Sequence, residues 1–257
     1  MIKIVHIVNQ FFAGLGGEEK AGLPVSVIDG SAGAARALEM KLGDKAKIVC
    51  TIYVGDNYFN EHKGEAIPAV LNAVRAAEPQ VLVAGPAFNS GRYGMTCVEV
   101  CNAVANELAI PCVTAMHEEN PGVDAYREFS NARLYCLPTA ETAAGMTDAM
   151  TRLANLAIRL AQGEEIGPAT QEGYIGRGIR RIEKTERHGA ARAIEMLLKK
   201  IKDEPFASEL PMEVWDDAAP APALKHVKDR NIAVVTTSGV VPYGNPDKYP
   251  PRRFPVL

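Results

Sequence analysis

The chain has 257 residues, enough for one large α/β domain or two modest ones. It is 47% hydrophobic and 23% charged, so a sizeable core can form, and 28 basic against 31 acidic residues leave a formal net charge of -3. That balance gives no electrostatic case for nucleic acid or an anionic membrane, no apolar run approaches the ~18 residues of a membrane span, and no leader peptide is evident, so a cytoplasmic protein is expected.

Short runs rich in Val and Ile alternate with helical patterns. This predicts an α/β fold: a doubly wound, Rossmann-like parallel sheet with helices on both faces, plus a C-terminal extension. Strands are expected near residues 3–8, 47–54, 80–84, 111–115 and 132–136. Between them, "SAGAARALEMKLG" (31–43) has Ser31 placed to cap a helix and Gly43 to end it. "EHKGEAIPAVLNAVRAAEP" (61–79) has amphipathic spacing and ends before Pro79. "YGMTCVEVCNAVANELAIP" (93–111) and "TAETAAGMTDAMTRLANLAIRLAQGEE" (139–165) are long helical patterns.

Residues 1–165 thus form the Rossmann-like domain, residues 166–202 an Arg/Gly-rich segment and helix packing on it, and residues 203–257 a linker, an extra strand and a Pro-rich tail. The basic cluster Arg177, Arg180, Arg181, Lys184 and Arg187 reads as a solvated face balanced by Glu183 and Glu186, in preference to an anion or partner site. The extra strand, "NIAVVTTSG" (231–239), needs something to pair with, which makes a homo-oligomer the expectation.

Open α/β sheets bind ligands at the carboxyl ends of their strands, and the chemistry-bearing residues fall there. The first strand runs into "NQFFAGLGGEEK". Asn9, Gln10 and the Gly16-Gly17 backbone are donors, and Glu18 or Glu19 can face an ammonium or a catalytic proton. After the second strand come Gly55, Asp56 and Asn57, an acid where dinucleotide folds recognise a ribose. The first loop nevertheless lacks the GxGxxG spacing and puts two carboxylates where a pyrophosphate would sit, so nicotinamide binding is rejected. His6, inside the first strand, is expected in the core or at an edge.

The third loop, "AGPAFNSGRYGMTC", carries Asn89, Ser90, Arg92 and Tyr93 into a helix start, with Arg92 able to bind a carboxylate through two bonds. Cys97 falls near the amino end of that helix, where the macrodipole would lower its pKa and make it a nucleophile, base or redox group; the alternative is core packing. Cys101 lies on the same face. The other three cysteines, Cys50, Cys112 and Cys136, sit in strand-like runs as buried hydrophobes, and no spacing supports a metal. After the fourth strand, His117, Glu118 and Glu119 would complete an acid–base set near the thiol, or else form a helix-start acid cluster. The site predicted from these residues is one pocket for a small zwitterion or carboxylate. Cys97, Glu18, Glu19 and His117 are its candidate catalytic residues. Asn9, Gln10, Gly16, Gly17, Asn57, Asn89, Ser90, Arg92, Tyr93 and Glu119 are its candidate binding residues.

Several of these stretches carry a resemblance. "IVHIVNQFFAGLGGEEKAGLP", "GDNYF", "AGPAFNSGRYGMTC", "ENPGVDAY", "AAGM", "GEEIG", "EGYIGRGIRR", "MLLKK" and "SGVVPYGNPD" follow one another in order from residue 2 to about 247. They are similar to the N-terminal half of the selenoprotein B component of glycine, sarcosine and betaine reductases. The resemblance implies a multi-protein complex in which a pyruvoyl group on a partner subunit captures the substrate amine. A selenocysteine of component B then attacks the activated methylene, and the carboxymethyl group passes to selenoprotein A. That selenocysteine belongs to a C-terminal half not found in these residues, so no cofactor is expected in this chain and it would not perform the selenium chemistry alone. The sequence departs from the family after "GNPD", and it has His117 and Glu118 where the family usually has no acid–base pair. Two other readings stay open. One is a stand-alone Cys97-dependent enzyme on a small carboxylate, of lyase, desulfurising or racemase type. The other is a non-catalytic assembly subunit.

Overall fold

The structure, a computed structural model, describes residues 1–179 and 186–208 and positions 219, 220, 222, 223, 226, 228 and 231. The chain divides into two units, Met1–Glu183 and Lys184–Leu257. In the first unit the elements run β1 (Ile2–Asn9), β2 (Ser26–Asp29), α1 (Ala35–Leu42), β3 (Ala46–Val54), α2 (Asp56–Glu61) and α3 (Lys63–Ala77). They continue with β4 (Val81–Phe88), α4 (Gly91–Glu107), β5 (Cys112–Met116), α5 (Gly122–Phe129), β6 (Leu134–Pro138), α6 (Met146–Ala161) and α7 (Ala169–Glu172).

The strands form one six-stranded sheet in the order β2-β3-β1-β4-β5-β6. All neighbours are parallel except β2, which is antiparallel to β3 at one edge. The five parallel strands therefore follow the 2-1-3-4-5 arrangement of doubly wound sheets, and the winding reverses between β1 and β4. Side chains alternate across the sheet. Val5 and Ile7 pack with Leu82, Val98 and Val104 on the face covered by α2 to α5. Ile4 packs with Val81, Val113, Leu38 and Leu153 on the face covered by α1 and α6. The α/β class with helices on both faces is as the sequence predicts.

Strand β2 was not legible, because it is a four-residue edge strand with Val27 exposed, too short and too wet to give an apolar run. The helix expected over 61–79 is α3, and a short helix that the sequence did not reveal, α2, precedes it, with His62 breaking the helical path between them. Ser31 does not cap α1, which starts at Ala35; its hydroxyl bonds the Glu39 carboxylate instead. Helices α4 and α5 come unusually close: a Cβ on Gly122 would lie 2.7 Å from the carbonyl carbon of Gly94.

Residues 173–179 run along the free edge of β6. Ile175 N–H donates to Cys136 O at 2.7 Å, and Tyr126 Oη donates to Ile175 O at 2.8 Å. Arg177 lies 4.6 Å from the centre of the Tyr135 ring and also bonds Ala132 O, so it is anchored rather than simply solvated. Arg180, Arg181, Glu183 and Lys184 lie outside the described residues. In the second unit, α8 (Gly189–Ile201) carries Ile194, Leu197, Leu198 and Ile201 at helical spacing, and Arg187 pairs with Glu195. The extra strand expected at 231–239 lies outside the described residues beyond Asn231, as does the Pro-rich tail.

Candidate functional site

The site is built where the sheet reverses. Strand β1 ends at Asn9, whose buried amide joins two segments: Oδ1 accepts from Phe12 N–H at 3.0 Å, and Nδ2 donates to Asp56 Oδ2 at 2.9 Å. Gln10 Oε1 accepts from Asp56 N–H at 3.1 Å. The turn after β3 packs backbone to backbone on the first loop, with Gly55 N–H to Leu23 O at 2.8 Å and Asn57 N–H to Ala21 O at 2.9 Å. A Cβ on Gly55 would fall 2.2 Å from Ala21 O, so only glycine allows that approach. Asp56 is thereby fixed at the amino end of α2 with 5% of its surface exposed.

The third wall is the turn from β4 into α4. Phe88 sits at φ 50, a left-handed conformation uncommon for a bulky residue. The loop is tied down from the β5–α5 connection. Asn120 Nδ2 donates to Phe88 O at 2.9 Å and to Ser90 O at 3.0 Å, and His117 N–H donates to Phe88 O at 3.0 Å. From this turn Arg92 reaches across to the first loop. Its Nη2 meets both Glu18 carboxylate oxygens at 2.7 and 2.8 Å, and its Nη1 donates to Asn57 Oδ1. A fourth wall comes from the turn after β6, where Asn89 N–H donates to Glu141 O at 3.1 Å.

Together these walls enclose a cleft of about 530 Å³. Asn9, Gln10, Gly17, Glu18, Asn89, Ser90 and Arg92 line it, and Asn57 holds Arg92 in place. The other predicted residues lie elsewhere. Gly16 shapes the turn before the cleft, with φ 143. Glu19 folds back to accept Gly17 N–H at 2.9 Å, and bonds to its own and the Gly17 backbone hold its carboxyl below the usual range. Tyr93 is buried beneath the cleft, with its hydroxyl 3.5 Å from Ile7 O, and burial pushes its pKa well up. His117 contributes backbone to the loop while its ring accepts Glu119 N–H at 3.3 Å; neither side chain lines the cleft.

Cys97 requires a correction. It lies in the second turn of α4 and faces inward, fully buried near Thr114 and Tyr93. Burial pushes its thiol well above the ordinary value, with Cys101 and Asp56 adding to the rise, whereas the sequence led us to expect a lowered pKa. All five cysteines are free and buried. A thiol-reactive disulfide reagent is therefore expected to label none of them rapidly in the native chain and all five in denaturant. Rapid native labelling of Cys97 would restore the nucleophile reading.

Sequence reasoning missed Asp56 as a pocket residue, although it stood at the correct edge. It also missed Glu141, Phe12 and Phe88, which reach the cleft only through the arrangement of the loops. Among the described residues no cluster of three or more His, Cys, Asp or Glu is set to hold a metal, and no helix is long and apolar enough to cross a membrane.

Fold and site together define a doubly wound α/β protein with a small, charged, polar-lined cleft at the switch point of its sheet. The profile of the family described as glycine/sarcosine/betaine reductase selenoprotein B matches residues 1–251, and the chain belongs to that family. It is 43% identical over 247 residues to the sarcosine reductase complex component B subunit beta of Peptoclostridium acidaminophilum. It is 45% identical over 246 residues to the glycine reductase complex component B subunit gamma of Carboxydothermus hydrogenoformans. The betaine reductase complex component B subunit beta of Peptoclostridium acidaminophilum is 38% identical over 250 residues. Each match covers 96% of this chain and 56% of the relative, so the chain spans about half the length of the relatives it matches. No solved structure matches significantly.

Proposed function

We propose that this chain supplies the substrate pocket of a glycine/sarcosine/betaine reductase component B. It would hold glycine or an N-methylated glycine for reductive C–N cleavage in a multi-protein complex. The observation that carries this reading is Arg92 at the switch point, gripping the Glu18 carboxylate at 2.7 and 2.8 Å. A guanidinium aimed this way is what recognition of a small carboxylate needs. Glu18 is mostly exposed on a short turn, and a pair of this kind adds little stability. Replacing Glu18 with a substrate carboxylate therefore costs little. Asn89 and Ser90 border the same end of the cleft.

The selenol and pyruvoyl group that the family resemblance implies are not among these 257 residues. In the assembly they supply the nucleophile and the amine-capturing carbonyl. This chain's own residues bind the carboxylate, orient the methylene and narrow the access of water. The partners in this reading are a pyruvoyl-bearing subunit and selenoprotein A. Calorimetric titration with glycine, sarcosine and betaine tests the reading. Arg92→Gln is expected to weaken binding about tenfold or more. Glu18→Gln, which removes the competing carboxylate, is expected to tighten it roughly two- to fivefold. Absence of binding by all three, or an Arg92→Gln chain that binds as the wild type does, would overturn it.

A further inference from the structure

We propose that Asp56 is the cation-binding residue of the cleft, its Oδ1 accepting an N–H from a primary or secondary ammonium. The inference rests on the zwitterion reading above and assigns its nitrogen end. The two carboxyl oxygens of Asp56 differ in their surroundings. Oδ2 is held by Asn9 at 2.9 Å, whereas Oδ1 is buried with no hydrogen-bond partner among the described residues. A buried carboxylate oxygen without a donor is costly, and a ligand that supplies the missing donor relieves that cost. The backbone of Asp56 is fixed by Gln10 and its side chain by Asn9, so Oδ1 cannot turn away to find water.

Charge points the same way. Three acidic residues, Glu18, Asp56 and Glu141, line the cleft against one cation among the described residues, Arg92, which is already committed to Glu18 and Asn57. Arg92 and Glu18 lie close enough to Asp56 to act on its titration. The proposal sets the ammonium end of the same molecule against Oδ1 when its carboxylate takes the place of Glu18 on Arg92. Burial raises the Asp56 pKa, while Asn9, Gln10 and Arg92 oppose that rise, and a bound ammonium would favour the ionised form further. A trimethylated nitrogen has no N–H to give, so the assignment discriminates between substrates.

The test compares wild type and Asp56→Asn in the 257-residue chain. The ligands are glycine, its isostere propionate, which lacks the ammonium, and betaine, which lacks N–H. Loss of a charge-assisted hydrogen bond should weaken glycine about tenfold or more, and leave propionate within about twofold. The melting temperature of Asp56→Asn should not fall, because the substitution removes a buried charge; a purely structural Asp56 would lower it. Betaine should bind the wild type more weakly than glycine. Unchanged glycine binding, equal losses of glycine and propionate, or betaine binding as tightly as glycine would each overturn the assignment. If the wild type binds no glycine, the substrate reading falls, and glycinamide, a cation without a carboxylate, decides Asp56 alone. Binding that Asp56→Asn abolishes supports the assignment, and no binding overturns it.

Discussion

Asn120→Ala is expected to destabilise the first unit by about 3 kcal/mol, seen as a lower urea midpoint with an unchanged slope. Asn120 is 1% exposed and makes three bonds with one side chain: Nδ2 to Phe88 O and Ser90 O, and Oδ1 from Gly122 N–H at 2.9 Å. Phe88 O keeps a bond from His117 N–H and Ser90 O keeps one from Gly94 N–H, so both carbonyls are only partly deprived. Gly122 N–H loses its acceptor outright. The same bonds hold Phe88 in its left-handed conformation, so the variant should also weaken ligand binding by letting the β4–α4 turn relax. Asn120→Asp keeps the acceptor for Gly122 but sets a buried carboxylate oxygen against the Phe88 and Ser90 carbonyls, and should destabilise at least as much as alanine near neutral pH. A loss below about 1 kcal/mol in Asn120→Ala would show that the turn holds itself.

The second large effect is acid lability centred on His6. The imidazole is fully buried in β1, with Nε2 2.6 Å from Gly85 O and Nδ1 without a partner among the described residues. Burial lowers its pKa from 6.5 to about 4, only partly opposed by the bond to Gly85. Between those values the unfolded chain binds a proton that the folded chain does not. The contribution is therefore complete above about pH 6.5 and lost as pH falls through about 4, for a total of about 3 kcal/mol. His6→Gln, which keeps a donor for Gly85 O, should flatten this part of the stability profile. In the wild type, the NMR signals of the His6 ring should stay those of neutral imidazole down to about pH 5. Titration near 6.5 would mean that water reaches the ring.

Asp56 works in the opposite direction. Its folded pKa is raised, so its contribution to stability falls as pH rises from the unfolded value of 3.8 through the folded one. His6 and Asp56 are both buried titratable groups with an unpaired atom, but only Asp56 lines the cleft. A ligand can therefore relieve the cost at Asp56, whereas nothing in the cleft reaches His6.

Strand and helix identity were set locally, and the sequence determined them well. Val- and Ile-rich runs such as Lys47–Val54, and helical spacing such as that after Gly145, need no distant partner to be recognised. The sequence also placed Asn9, Glu18, Asn89 and Arg92 at strand ends, because in a parallel sheet every strand-to-helix loop emerges on one edge. Which of those loops meet was decided by strand order alone. Setting β1 between β3 and β4 brings Asn9 against Asp56 and Arg92 against Glu18, pairs 47 and 74 residues apart. His117 follows β5, one strand further from the switch point, and its ring stays outside the cleft. The direction of a helical side chain was equally undetermined by spacing. Cys97 sits near the amino end of α4 as predicted, yet its place on the helix turns it onto the sheet, and burial in the core reverses the pKa shift that the helix terminus alone would have produced.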